Sequence, residues 1–437
     1  MILICDLMML LTCTVVLAVS YKRLFSSRLN SFVDIVVVVV YMFMCFPIIC
    51  NYIVGIPEYK SAYWYQVFLP GMYDEGTVAL YDLYVTIVML ALHFYSSKRE
   101  REAEIEFVPL EIVTGRWVLV LCCLSPLCLM VLSGSLSSYA FYADSLARGL
   151  DSTFVFLMNS SLLLSLFSFT LLYFSKPKRS KAAPLLLIVY TFIISWISGK
   201  RFIVALALTM YLYAFLYTED DNKKRTRLFR TLPVLLVGLI GFSGFYMAVI
   251  KPLTNTINYD LYEMFRVDFG RDDVTKYVLY QTNVLNNHIV DYPGQSVISY
   301  LLFFIPRRIW PAKPFQHYQY LSASILGLPI AQLPAGTTPS GFEMFVANFG
   351  LIGIPLFALV LVGYIKLFDS RDSLFSLRLI GLVLCLVLLT QSIDVYLIYV
   401  VLSVVFLIKH SFDKRRAART ITKQLKATHN GLRTITY

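Results

Sequence analysis

A chain of 437 residues, 58% hydrophobic and 15% charged, has too little polar surface to clothe a water-soluble core of its size. A lipid solvent removes that requirement, because the outer face of a spanning helix is then as apolar as its inside. The formal net charge of +11 invites a nucleic-acid partner, but its distribution argues against one. Lys409, Lys414, Arg415, Arg416, Arg419, Lys423, Lys426 and Arg433 stand against the single acid Asp413 in the C-terminal tail, the pattern of an anchor beside anionic membrane lipid.

Taken in chain order, apolar runs long enough to span fall near residues 3–20, 32–54, 76–95, 117–136, 153–174, 183–199, 201–218, 231–250, 341–365, 374–390 and 392–408. They predict an all-α polytopic membrane protein with about eleven transmembrane helices, roughly ten to twelve, and one long segment outside the bilayer. No cleavage-like cluster of small residues follows the first run, so it reads as a retained helix. The stretch 183–218 is interrupted only by Ser198, Gly199, Lys200 and Arg201, which predicts a tight hairpin of two helices. Cys13, Cys45, Cys50, Cys122, Cys123, Cys128 and Cys385 lie in apolar runs and Cys5 at the extreme N-terminus. All are read as small hydrophobes rather than disulfide partners or metal ligands.

Loop charges orient the runs. Lys22, Arg23 and Arg28 follow the first, Lys98, Arg99, Arg101 and Arg116 the third, Lys176, Lys178, Arg179 and Lys181 the fifth, and Lys223, Lys224, Arg225, Arg227 and Arg230 the seventh. The loops between hold fewer cations. The expected layout has the N-terminus outside and the C-terminus in the cytoplasm: an N-terminal transmembrane bundle over 1–250, an outer segment over 251–340, C-terminal transmembrane helices over 341–408, and a basic cytoplasmic tail over 409–437.

The outer segment has enough polar material for a site. It carries Asp260, Glu263, Arg266, Asp268, Arg271, Asp272 and Asp273, then His288 and Asp291, whose spacing of three suggests an orienting pair on one helical face. The run at 297–306 is too short to cross a bilayer and predicts a re-entrant or interfacial helix. Arg201, Arg266, Arg307, Arg308 and Lys313 lie on the side that the positive-inside bias disfavours. Arginine's planar fork matches phosphate oxygens, so these residues suggest a lipid-linked phosphate or pyrophosphate. Snorkelling beside Trp310 is the structural alternative. Pro306, Pro311 and Pro314 forbid a continuous helix and hold the basic stretch in a fixed extended or turned form. After the turn at 336–340, Glu343 enters the first turns of a helix that also carries Asn348. It is either a functional carboxylate at the bilayer edge or a partner of the helix dipole. No HExxH, P-loop or GxGxxG is present, so metal, ATP and nicotinamide chemistry have no support in the sequence, and no cofactor is expected.

IPRRIWPAKP (305–314) together with GTTPSGFEMFVANFGLIG (336–353) resembles the O-antigen polymerase family, the Wzy-type polymerases of bacterial surface polysaccharide, and the many-helix layout with one outer segment is similar over essentially the whole chain. The resemblance implies a fold similar to the metal-independent integral-membrane C-type glycosyltransferases. It implies a substrate of undecaprenyl-pyrophosphate-linked oligosaccharide repeat units, joined block by block at the outer face of the bacterial cytoplasmic membrane. It also implies company from a chain-length regulator and a flippase of the same pathway. Arg307, Arg308 and Lys313 would then neutralise the departing pyrophosphate, with Arg201 or Arg266 as further donors. Glu343 would serve as base, with His288 second, and Trp310, Tyr318 and Tyr320 would offer faces for sugars. An O-antigen-type ligase with another acceptor and a transporter of lipid-linked sugars remain alternatives, although no clear internal repeat favours the transporter.

Overall fold

A computed structural model shows an all-α chain with several long apolar helices, the architecture of a polytopic membrane protein. The structure describes residues 1–26, 31–60, 62–101, 115–139, 152–175, 183–199, 202–218, 223, 226–230, 241, 260–302, 305, 307–333, 337–369, 374–391, 396–409 and 411–412. The apolar run at 231–250 apart from residue 241, the basic residues from Lys414 onward and Arg201 lie outside the described residues.

The first seven long helices among the described residues are α1 (Ile2–Ser26), α2 (Val33–Val54), α3 (Glu75–Arg101), α4 (Arg116–Leu132), α5 (Ser152–Phe174), α6 (Ala183–Ser198) and α7 (Phe202–Thr218). The polar stretch adds α8 (Leu261–Phe269), α9 (Arg271–Asn283), α10 (Gln295–Leu301) and α11 (His317–Leu326). The chain then forms α12 (Gly341–Phe349), α13 (Gly353–Phe368), α14 (Phe375–Thr390) and α15 (Leu397–Lys409). Five spans reach bilayer length with few charges: Ile2–Phe25, Val33–Val54, Glu75–Lys98, Phe154–Phe174 and the joined pair Gly341–Phe368. Shorter apolar helices coincide with further runs, among them α6 and α7, which pack on each other as the predicted hairpin.

Local chemistry explains the interruptions. Pro47 has no N–H and crowds the carbonyl four residues earlier, and α2 accommodates it with a π turn over Tyr41–Cys45. α12 ends at Gly350, whose φ of 59° favours glycine, and the turn that follows brings Gly353 so close to α12 that a Cβ there would lie 2.2 Å from the Phe345 carbonyl oxygen. All eight cysteines are free thiols.

The bundle has two distinguishable ends. At one, Arg23 of α1 donates to Ser96 Oγ (3.0 Å) and Ser97 Oγ (2.8 Å) of α3, and Ser96 donates to Asp34 of α2 (2.8 Å). At the other, the Met1 amino group lies 3.6 Å from Glu75, at the start of α3. The connection from α2 to α3 belongs to this second end, and α9 is held against it: Tyr59 donates to Asp273, and Gly71 packs on the backbone of Lys276.

α9 is the surprise in the fold. It reads as polar, yet every residue from Arg271 to Leu279 is buried, packed against α3, α12 and the short helix Leu69–Tyr73. Its charges are matched internally: Arg266 Nη2 lies 2.9 Å from Asp272 Oδ2 and pairs with Asp273 as well, and Arg271 donates to the Thr390 carbonyl (3.3 Å). The described part of 251–340 is therefore keyed into the helical bundle through a buried ion cluster. The short apolar run near 297–306 forms α10, only seven residues long, entered through Gly294 at a φ of 81°. His288 and Asp291 do not share a helical face. Residues 285–294 form an irregular loop with Asn286 at a φ of 53°, and no hydrogen bond joins the two side chains among the described residues.

Candidate functional site

A cleft of about 880 Å³ opens where four segments meet: the C-terminal half of α9, the 284–294 loop, the 305–315 loop, and α11 with the turn after it. That volume suits a ligand of several rings. The cleft brings together His288, Asp291, Arg307 and Lys313 from segments that are distant in sequence.

The basic wall is built by its own cations. Arg307 Nη1 donates to the Lys313 carbonyl (2.7 Å), Nη2 donates to the Pro314 carbonyl (3.1 Å), and Lys313 Nζ returns a bond to the Ile305 carbonyl (3.0 Å). The guanidinium lies 3.9 Å above the Phe315 ring. Pro311 and Pro314 limit the backbone here, and these bonds close the loop on itself. Two of the five guanidinium donors face carbonyls, and among the described residues the other three have no hydrogen-bond partner. Partial burial and then the neighbouring Arg307 charge lower the Lys313 pKa, so an anion placed between them would relieve the repulsion. A smaller cavity of about 250 Å³ shares Arg307 and Lys313 with the cleft.

The other wall is a polar network. Gln295, 4% exposed, accepts from the Asp291 backbone N–H (2.7 Å) and donates through Nε2 to Asp291 Oδ2 and to the Tyr320 hydroxyl, both at 2.8 Å. The Phe315 N–H also donates to the Tyr320 hydroxyl (3.0 Å). Burial raises the Tyr320 pKa; the Phe315 bond offsets part of the shift, and the Asp291 charge adds to it, so the phenol keeps its proton at neutral pH. Deeper in the cleft, Tyr277 and Ser324 share a hydroxyl bond of 2.7 Å.

The remaining candidates lie elsewhere. Glu343 does not line the cleft. It is fully buried as the third residue of α12, where it accepts from the backbone N–H and the hydroxyl of Ser340 while Ser340 caps the helix: a complete capping box. The dipole-partner alternative for Glu343 is thus the geometry observed. Arg266 is likewise buried in its ion pairs; burial works against its charge, but Asp272 and Asp273 outweigh that and hold its pKa well above the ordinary range. Asn348, 2% exposed, accepts from the Ser296 N–H (3.1 Å) and donates to the Met344 carbonyl (2.7 Å), which ties α12 to α10 behind the cleft. Arg308 is exposed and Trp310 partly buried, and neither lines the cleft.

Sequence reasoning missed Gln295. Its signal was local: an acid, a Pro–Gly turn and an amide four residues on, in DYPGQ. Compared with known proteins, the chain matches no family model, no curated protein and no solved structure.

Proposed function

We propose that this protein is a membrane glycosyltransferase of the O-antigen polymerase kind, joining undecaprenyl-pyrophosphate-linked repeat units at the outer face of a bacterial cytoplasmic membrane. The observation that carries the proposal is the cleft that sets Arg307 and Lys313 beside His288, Asp291 and Tyr320. In the reaction, a hydroxyl of the incoming unit attacks the anomeric carbon of the lipid-linked chain. The bond from that carbon to the pyrophosphate oxygen breaks, and its electron pair leaves with the phosphate. Arg307 and Lys313 receive the developing charge, which is where preorganised cations lower a barrier most. His288 and Asp291 are the cleft's candidates for the hydroxyl proton.

The two ends of the bundle support the orientation. The cleft shares an end with Met1 and Glu75, while Arg23 and Lys98 belong to the opposite one, and the positive-inside rule sets the latter in the cytoplasm. With the run at 231–250 counted, the proposed bilayer passes number about eleven, with the N-terminus outside and the C-terminus inside. The proposed fold relatives are the C-type glycosyltransferases, and the proposed partners are a chain-length regulator and a flippase of the same pathway.

The test is complementation. Cells lacking the protein are rescued with native protein or with Arg307→Ala at matched membrane abundance, and their lipid-linked glycan is sized. A long ladder from native rescue, with the variant stalled near a single unit by a loss of about 10²–10³ in rate, supports the proposal. A null strain that still builds full-length chains but fails to attach them replaces it with the ligase reading.

A further inference from the structure

We infer that Asp291, held in place by Gln295, is the catalytic carboxylate that takes the proton from the attacking sugar hydroxyl, and that Tyr320 donates a hydrogen bond to the same sugar. The inference rests on the proposed glycosyl transfer and assigns its acceptor side.

Four observations carry it. First, the Gln295 amide is buried, and both its ends are committed to orienting its neighbours: Oε1 takes the Asp291 N–H, and Nε2 bridges Asp291 Oδ2 and the Tyr320 hydroxyl. A buried amide satisfied in this way locks the carboxylate. Second, Asp291 lines the cleft, and its Oδ1 has no hydrogen-bond partner among the described residues, so one fixed oxygen is left for a ligand. Third, the Tyr320 oxygen already accepts two hydrogen bonds, and its own hydrogen is the group it has left to give. A fixed acceptor beside a fixed donor matches a sugar hydroxyl, which is both at once. Fourth, Phe315 joins the two walls, since its N–H fixes Tyr320 and its ring lies under Arg307. The cation for the leaving group and the base for the nucleophile are positioned by one continuous set of contacts, as an in-line displacement requires.

The competing bases lack this arrangement. His288 lines the same cleft, but no hydrogen bond from the described residues orients its ring. Glu343 is enclosed in its capping box. In the assigned step, the proton moves from the hydroxyl to Asp291 Oδ1 as the new glycosidic bond forms, and then passes to water. The lipid pyrophosphate departs with the electron pair of the broken bond.

The experiment uses purified full-length protein and, as probe, the lipid-linked saccharide extracted from membranes of cells that lack the protein. Asp291→Asn keeps a side-chain oxygen for Gln295 but cannot take up the proton. It should lower turnover by about 10²–10⁴-fold. KM for the extracted saccharide should stay within about threefold of native, because ground-state binding is left in place. Asp291→Ala should regain turnover when formate is added, a response that a purely structural carboxylate would not give. Gln295→Leu should lower turnover by less than either, with no response to formate. If native protein lengthens the saccharide and Asp291→Asn does so within about threefold of its rate, the base assignment is overturned while the polymerase reading stands. An inactive Asp291→Asn with no formate response in Asp291→Ala also overturns it. Native protein that fails to lengthen the saccharide removes the polymerase reading and Asp291's role together.

Discussion

Arg266→Met removes one cation from a site that buries two carboxylates. Arg266, Asp272 and Asp273 are 0%, 0% and 1% exposed. Deleting one partner of such a pair leaves an uncompensated buried charge, at a cost of about 3–5 kcal/mol. The structure places this case near the lower bound. Lys276 Nζ remains 3.8 Å from Asp272, and the Tyr59 hydroxyl still donates to Asp273, so each carboxylate keeps one favourable neighbour. About 3 kcal/mol corresponds to roughly a hundredfold shift of the unfolding equilibrium. The double variant Arg266→Met, Asp273→Asn should recover most of that loss. It keeps buried Lys276 and Asp272 as a matched pair, and it removes the guanidinium Nε and Nη1, which have no hydrogen-bond partner among the described residues. The assay is denaturant-induced unfolding in detergent, followed by tryptophan fluorescence for native, single and double proteins. A single variant within about 1 kcal/mol of native, or a double variant no better than the single, would refute the reasoning and reopen a substrate-binding role for Arg266.

Two further outcomes follow from the buried groups around the cleft. His317 is fully enclosed with Nδ1 3.1 Å from Ser296 Oγ, and burial lowers its pKa to about 3. The folded state holds it neutral while the unfolded chain takes up a proton near pH 6.5, so its stabilising effect is complete above that pH and is lost as pH falls toward 3, at about 1.4 kcal/mol per pH unit. Unfolding midpoints of native and His317→Gln between pH 6.5 and 4 should diverge with that slope, and parallel curves would refute it. At Glu343, glutamine still serves a capping box, so Glu343→Gln should polymerise near the native rate, whereas Glu343→Ala should lose about 1–2 kcal/mol of stability. Abolished chain growth in Glu343→Gln at normal abundance would return a catalytic role to that carboxylate.

The apolar runs were legible because membrane crossing is a local property. Some twenty consecutive apolar residues must satisfy their own backbone wherever they lie, and the described helices start and stop close to where those runs do. The turns at 307–309 and 311–312 were equally local, since proline beside them excludes a continuous helix. Glu343 was half legible: a serine three residues before a glutamate announces a capping box, but burial decided that the carboxylate belongs to the helix end and not to the cleft.

What the tertiary structure alone decided was which polar groups meet. Arg266 and Arg307 are the same residue type on the same polar stretch, and nothing in their neighbours' identities says that one is enclosed by two aspartates while the other faces a cleft. α9 is a charged stretch in the sequence and is buried, because its aspartates pair with an arginine one turn before it and its own arginine donates to a carbonyl more than a hundred positions away. The Asp291–Gln295–Tyr320–Phe315–Arg307 chain crosses three segments, and hydrogen bonds between segments depend on how the backbone folds back rather than on spacing along it. Hydrophobicity acts through the solvent on each residue by itself and is readable from composition. Charge and hydrogen bonding act between pairs at a few ångströms, and only the assembled fold brings those pairs together.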